Sequence, residues 1–469
     1  MNLKLSLLIC ALLIVFTAFP VNAQNSPVYP DYEVQPGDSL GLIAAIFDTT
    51  VNDLIRVNQI ANPDLLSPGQ TLKIPSFEGV SGVLEFISVD LGEDFTYLPL
   101  KYRSTASNFV KMNKILSPGQ LFTGSEIIIA HKDNSSPLAP TLLMKQGLTG
   151  FEASILTNTN PYTLTLLNST PNPDLIPPHM VILGLEKTES AGINLFAPEL
   201  ASVSISPLPL VQGATESIVI HAGTPVQLSG SLDSNPLQFF SDMTGEYFSL
   251  QGIHALSEPG LKDFSITVAF DNGETLKYSQ PVLLKLGIFD QDPPLTVDPL
   301  TIDPEVTRPE NELVNALISK VTPTRYWQGM FTSPAVYQEY NSLYGTRRTY
   351  NDDPTITFHT GVDFAGGLHL PIYAPAAGQV VFAGLLDVRG NTIFIDHGCG
   401  VFSGFFHQNS LNVKVGDFVE QGQTIGEVGN TGRVNKSAGY EGEGAHMHWE
   451  VWVNGVQVDP LNWLSNEYP

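Results

Sequence analysis

Leu66-Ser67-Pro68-Gly69-Gln70 returns fifty positions later as Leu116-Ser117-Pro118-Gly119-Gln120, and this repetition constrains the fold more than any other feature of the chain. Phe109 to Asn113 echoes Leu54 to Asn58, and Asn172-Pro173-Asp174-Leu175-Ile176 echoes Asn62-Pro63-Asp64-Leu65-Leu66. A short unit used more than once implies several small cores in series. The length agrees, because 469 residues exceed what one hydrophobic core supports and three or more domains are expected. Gly 40 and Pro 35 favour short strands and turns over long helices. The expectation is a multidomain, mainly β chain.

The first residues read as an export signal. Lys4 is the positive start, Leu5 to Phe19 the apolar core, and Val21-Asn22-Ala23 a small-residue cleavage site, giving a signal peptide over 1–23. The apolar run is shorter than the roughly 20 residues a membrane helix needs, and no later stretch is long and apolar enough to span after cleavage. Cys10 falls inside the signal, which leaves Cys399 alone and excludes an internal disulfide. A net charge of −25 excludes nucleic acid and anionic membrane surfaces as partners. The chain is therefore expected to be secreted or held in the cell envelope.

Residues 31–76 open with a short strand pattern and a cap at Asp38-Ser39. Leu40, Ile43, Ala44 and Phe47 then recur at helical spacing. Leu54, Ile55 and Val57 suggest a second helix, and Gln70 to Ile74 a closing strand. With V-x-P-G-D-S-L, D-L-x-x-x-N and L-x-P-G-Q-x-L-x-I-P in place, this segment resembles a LysM domain, a βααβ module that binds peptidoglycan glycan. Residues 84–130 and 141–184 read as two degenerate LysM-like repeats lacking the P-G-D-S opening.

Ser217 to His221, Pro225 to Leu228, Phe264 to Phe270 and Tyr278 to Leu286 alternate as short strands, with a hairpin turn at Asp271-Asn272-Gly273. Residues 200–290 are expected to form a small β-sandwich-like domain. His221 and His254 read as ordinary strand or turn residues. Residues 291–320, rich in Pro, Asp and Glu, read as an extended acidic linker, with a short helix beginning near Glu312.

Six of ten histidines lie between His359 and His448. His446 and His448 sit two apart in a strand pattern, so both imidazoles share a face while Met447 points away. His359 and Asp363 are four apart, which also suits one helix face, but Gly361, Gly366 and Gly367 favour strand and loop. A catalytic zinc takes three imidazole or carboxylate ligands and keeps one open position.

The segments HTGVDFAGGLHLPIYAPAAG, GNTIFIDHGCGVFSGFFHQNS and GAHMHWEVWVNGVQVDPLNWL are similar to the M23 peptidases, the lysostaphin-like zinc endopeptidases. The resemblance covers about residues 325–469, including the upstream LYGTRRTY stretch, within a domain expected over 321–469. It implies an antiparallel β-sheet peptidase domain, with His359, Asp363 and His448 as Zn2+ ligands. It makes His407 and His446 the catalytic histidines and peptidoglycan peptide the substrate. Phe405 stands where the family usually has a tyrosine, so a phenol for the oxyanion is missing. The loop from Gly432 to Gly444 is longer than the family's. The resemblance also admits an alternative, a catalytically inactive activator of a cell-wall amidase, but such regulators lose metal ligands and all five site residues are present here. His397, His369 and Cys399 read as structural, and Glu450, which shares the face of His446 and His448, reads first as a structural pair and only then as a group that orients a ligand histidine.

Overall fold

A computed structural model describes residues 27–131, 137–178, 180–185, 194–241, 245–351, 353–434 and 442–469. The signal reading of 1–23, His179 and most of the loop after Gly432 lie outside the described residues. The chain divides into two compact units, 1–84 and 85–469.

In the first unit, Ser39 caps the helix Leu40–Ile46 and Thr50 caps Val51–Asn58. Each hydroxyl accepts a backbone N–H of the first turn that would otherwise lack a partner. The strands Asp31–Glu33 and Thr71–Lys73 pair antiparallel, Tyr32 opposite Leu72. Phe47 meets Tyr32 and Phe77 edge-on at 5.0 and 5.9 Å, closing a small aromatic core. Asn58 ties helix to strand: its amide donates to Leu54 and Lys73 carbonyls, and its oxygen accepts the Lys73 N–H.

The same asparagine bracket recurs in the second unit. Asn113 bonds Phe109 and Ile128, and Asn168 bonds Leu164 and Leu183, each reaching a strand residue fifteen positions on. Between 139 and 184 the order is strand, two helices, strand, with Ala139–Leu143 antiparallel to Val181–Gly184.

Residues 202–285 form two sheets of five and four strands. Val203, Ile205, Ile218 and Ile220 from one sheet and Phe264, Ile266, Val268 and Val282 from the other share one core, which makes a β-sandwich. Its opposite face is not free. Phe240, Phe248 and Leu250 belong to the same apolar cluster as Val362, Trp449 and Val451 of the following domain.

That domain is built on an eight-stranded antiparallel sheet whose central strands are Val362–Ala365, His446–Val453, Val401–Gln408 and Gly390–Gly398. Met447, Trp449 and Val451 face the core shared with the sandwich. On the other face, Phe394, Phe402 and Trp452 pack under Val314 and Ile318. The helix carrying these two residues, Pro304–Ile318, corrects the expectation of an extended linker over 291–320. Asp303 caps it and Pro304 occupies its first turn, so it begins well before Glu312. The stretch before it is tied down too, with Leu295 N–H donating to Thr349 and Asp292 N–H to Arg347.

His397 lies fully buried in this domain. Its Nδ1–H donates to the Ala377 carbonyl at 2.8 Å and its Nε2 accepts from Ser403 Oγ at 2.9 Å, both satisfied by the neutral ring. Burial pushes its pKa from 6.5 down to about 4. The unfolded chain therefore binds a proton below pH 6.5 that the folded chain refuses. The residue's stability contribution is intact above 6.5 and is lost as pH falls toward 4, by about 3 kcal/mol. Denaturant unfolding at pH 7 and pH 4 should show wild type losing that much more than a His397→Asn variant. Parallel losses in the two proteins would refute the assignment.

Candidate active site

Strand register assembles the site. Asp363 lies directly opposite His448 and Ala365 opposite His446. On the other side of the His446–Val453 strand, Phe406 lies opposite His448. Alternation puts His446, His448 and Glu450 on the sheet face away from the Met447–Trp449 core. His359 arrives on the approach to the Val362–Ala365 strand, its backbone paired with Gly345 and Thr346. Gly361 is needed between them, because a Cβ there would sit 2.3 Å from the Trp449 carbonyl and 2.8 Å from His448 Nε2.

His359 Nε2 stands 3.1 Å from Asp363 Oδ1 and 3.0 Å from His448 Nδ1, and His448 Nδ1 stands 2.7 Å from Asp363 Oδ1. These three atoms lie within 4.8 Å of one another and could hold a metal ion. The outward nitrogens are also engaged. His359 Nδ1–H donates to the Leu343 carbonyl at 3.0 Å, and His448 Nε2–H to Glu450 Oε1 at 3.3 Å. Each bond fixes the ring so that its inner nitrogen points at the cluster. Glu450 is held in turn by Trp452 Nε1 and Gln457 Nε2.

Burial alone would raise Asp363, yet His359 and His448 hold its carboxyl well below the ordinary range. Burial opposes charge on His448, but hydrogen bonds to Asp363 and Glu450 outweigh it and lift the imidazole to about 9. Glu450, also opposed by burial, is brought down to about 2 chiefly by His448. Burial drives His359 the other way, to lower pKa.

His407 is placed by a bulge. Asn391 pairs with Gln408 and Ile393 with Phe405, so Phe406 and His407 together oppose Thr392. His407 takes a left-handed backbone (φ 58), which turns its ring to the side Phe406 already faces. Its Nδ1–H donates to the Thr431 carbonyl at 2.8 Å, and its ring lies 4.8 Å from that of His446. His446 Nδ1–H donates to the Gly444 carbonyl at 2.8 Å. Burial, reinforced by the neighbouring His446 and His448, holds His407 well below its usual pKa and so neutral.

The five residues line one cavity of about 1150 Å³. Segment 292–301 and Arg348, Tyr350 and Arg433 complete its walls. Arg348 pairs with Asp292 at 2.9 Å and reaches within 3.9 Å of Asp363.

Residues 357–460 match the model of peptidase family M23, and residues 32–75 that of the LysM domain. The chain carries an M23 peptidase domain. Peptidoglycan DD-endopeptidase ShyC of Vibrio cholerae is 33% identical over 128 residues, 27% of this chain and 28% of that one. DD-carboxypeptidase/endopeptidase Mpg of Neisseria meningitidis serogroup B is 33% identical over 137 residues, 29% of each chain. The chain thus spans less than a third of the length of these curated relatives. The solved catalytic domain of lysostaphin from Staphylococcus simulans aligns at 27% identity and a TM-score of 0.21, covering 30% of this chain and 93% of that one.

Within the M23 domain the structure brings His359, Asp363, His407, His446 and His448 together. Phe405 is a correction. It lies opposite Trp449, fully buried in the core on the other face, and does not line the cavity; regular alternation faces Phe406 to the site, and the bulge turns His407 to that same side. His369 is exposed and pairs with Glu427, and Cys399 is buried at the tip joining two strands. Glu450 holds a site histidine, a role its two-residue spacing from His448 signalled. Arg348 falls in the LYGTRRTY stretch, but its approach to Asp363 depends on how the Arg347–Arg348 and Val362–Ala365 strands pack, which the sequence did not show.

Proposed function

We propose that the chain is a zinc metalloendopeptidase that hydrolyses peptide bonds of peptidoglycan, exported to the cell envelope and retained on glycan by its LysM domain. The observation that carries the reading is the His359–Asp363–His448 triangle opening on a cavity that His407 and His446 also line. Two imidazole nitrogens and a carboxylate oxygen form a donor set that suits catalytic zinc and leaves a position open. Ligand atoms about 2.0–2.2 Å from a tetrahedral ion lie roughly 3.3 Å apart. The 2.7–3.1 Å separations here need only a slight spreading.

When bound, zinc supplies Lewis-acid polarisation of the scissile carbonyl and acidifies the attacking water. The remaining work falls to side chains. His407 and His446 each hold a proton on Nδ1 through a backbone carbonyl, which leaves Nε2 for the substrate side. Through these Nε2 lone pairs, neutral His407 and its neighbour His446 can accept a proton from the water and return it to the leaving amine. Arg348, 3.9 Å from Asp363, is itself a cation, so it steadies that carboxylate and favours the unprotonated form of His359 that a metal needs.

Metal analysis of the purified full chain, followed by mass spectrometry of products from defined muropeptides, tests this. Stoichiometric zinc and cleavage at one amide are expected, and His448→Ala should lose both. Bound zinc with no product from any muropeptide would defeat the hydrolase reading.

A further inference from the structure

Glu310 sits on the Pro304–Ile318 helix, ahead of the residues that match the family, and its side chain is only 4% exposed. It holds one turn twice. Oε2 accepts the Val388 N–H at 2.8 Å and Oε1 accepts Arg389 Nη1 at 2.6 Å. That turn joins the Gly378–Leu386 and Gly390–Gly398 strands, and three contacts run from it into the site. The Arg389 carbonyl accepts the His407 N–H at 2.9 Å. The Arg389 guanidinium lies 5.2 Å over the Phe406 ring, and Phe406 stacks on His448 at 5.0 Å with planes 13° apart. The Val388 carbonyl accepts the Arg433 N–H at 2.8 Å on the loop that also supplies the Thr431 carbonyl to His407.

We infer that Glu310 is a positioning residue for this site, acting through the turn at Val388 and Arg389 on both His407 and His448. The inference rests on the hydrolase reading above. A left-handed histidine costs of order 1–3 kcal/mol of backbone strain and persists only where its surroundings hold it. The Arg389 carbonyl is one of those holds, and Glu310 fixes where that carbonyl stands. The second route ends on a stacked ring against His448, whose other nitrogen is aimed at the cluster by Glu450. A buried ion pair by itself is weak support for stability. This pair instead bridges a helix outside the matched region to two site histidines.

The test uses the full chain with Glu310→Ala, Glu310→Gln and Glu310→Asp, reading zinc affinity by chelator competition, kcat, KM and melting temperature. Outer partners of metal ligands are worth roughly 10–100-fold in affinity or activity. Glu310→Ala should lose that much in kcat or zinc affinity with KM nearly unchanged, and Glu310→Asp, which keeps the charge, should recover part of it. Glu310→Gln preserves an acceptor for Val388 and decides the matter if the alanine variant does not fold: a folded glutamine variant with lowered kcat or zinc affinity supports the inference. Folded variants that melt lower but keep wild-type kcat and zinc affinity overturn it. A wild-type chain that binds zinc and cleaves muropeptide, beside such variants, leaves the hydrolase reading standing; a wild type that does neither ends both.

Discussion

Replacing His407 by asparagine should lower the turnover of muropeptide cleavage by roughly 10²–10⁴-fold while zinc stays bound. The asymmetry follows from geometry. His407 donates through Nδ1 to Thr431 and is no member of the His359–Asp363–His448 triangle, so its removal leaves the three metal-facing atoms and their outer hydrogen bonds in place. Its Nε2 is lost from the cavity, and with it the neutral base that burial keeps unprotonated. Asparagine is the informative substitution because it tolerates the left-handed backbone at this position better than most residues. Paired measurements of kcat, zinc content and melting temperature separate the two kinds of site residue. His448→Ala should lose metal and activity together, whereas His407→Asn should lose activity alone. Full turnover in a folded, zinc-loaded His407→Asn protein would remove this histidine from the mechanism.

The chemistry of the site was largely legible in the sequence, and its geometry was not. Two-residue spacing put His446 and His448 on one strand face, as found. Spacing could not decide whether His359 and Asp363 shared a helix or a strand, because four residues suit both. The register that sets Asp363 opposite His448 settled that, and register depends on partners eighty-five positions away. The bulge at His407 is set by pairing with the Gly390–Gly398 strand, which Phe-Phe-His-Gln alone does not announce. The segment before the M23 domain was misread for a related reason. Its proline and acidic content suggested a solvated linker, yet Asp303 and Pro304 are also what a helix start uses. Only the apolar face of Phe394, Phe402 and Trp452 makes a home for Val314 and Ile318. The repeats are legible in Leu-Ser-Pro-Gly-Gln, whereas the shared role of one asparagine at 58, 113 and 168, which makes the same bonds each time, is not.

Trp463→Ala should destabilise the second unit by about 3–5 kcal/mol and should bring down the β-sandwich with the M23 sheet. Trp463 is 1% exposed, and its ring meets Phe331 at 4.7 Å, Trp327 at 5.9 Å and Tyr468 at 4.3 Å. Alanine would leave a cavity that the three aromatic neighbours cannot collapse to fill. Its Nε1–H also donates to Thr215 Oγ1 at 3.1 Å, on a sandwich strand, and that hydroxyl would lose this donor inside the interface. The junction continues on both sides: Asp459 N–H donates to the Gly213 carbonyl, and Asn454 bonds Gln251 and Pro236. With Phe240, Phe248 and Leu250 in the same cluster as Trp449 and Val451, the two domains share one apolar core and should melt in a single transition. Calorimetry of wild type and variant, with limited proteolysis sampled through the transition, reads this directly. One transition shifted downward, with cleavage appearing in both domains at the same temperature, is expected. Two transitions, of which only the M23 step moves, would mean that the sandwich stands by itself and that the buried Thr215–Trp463 contact carries no coupling.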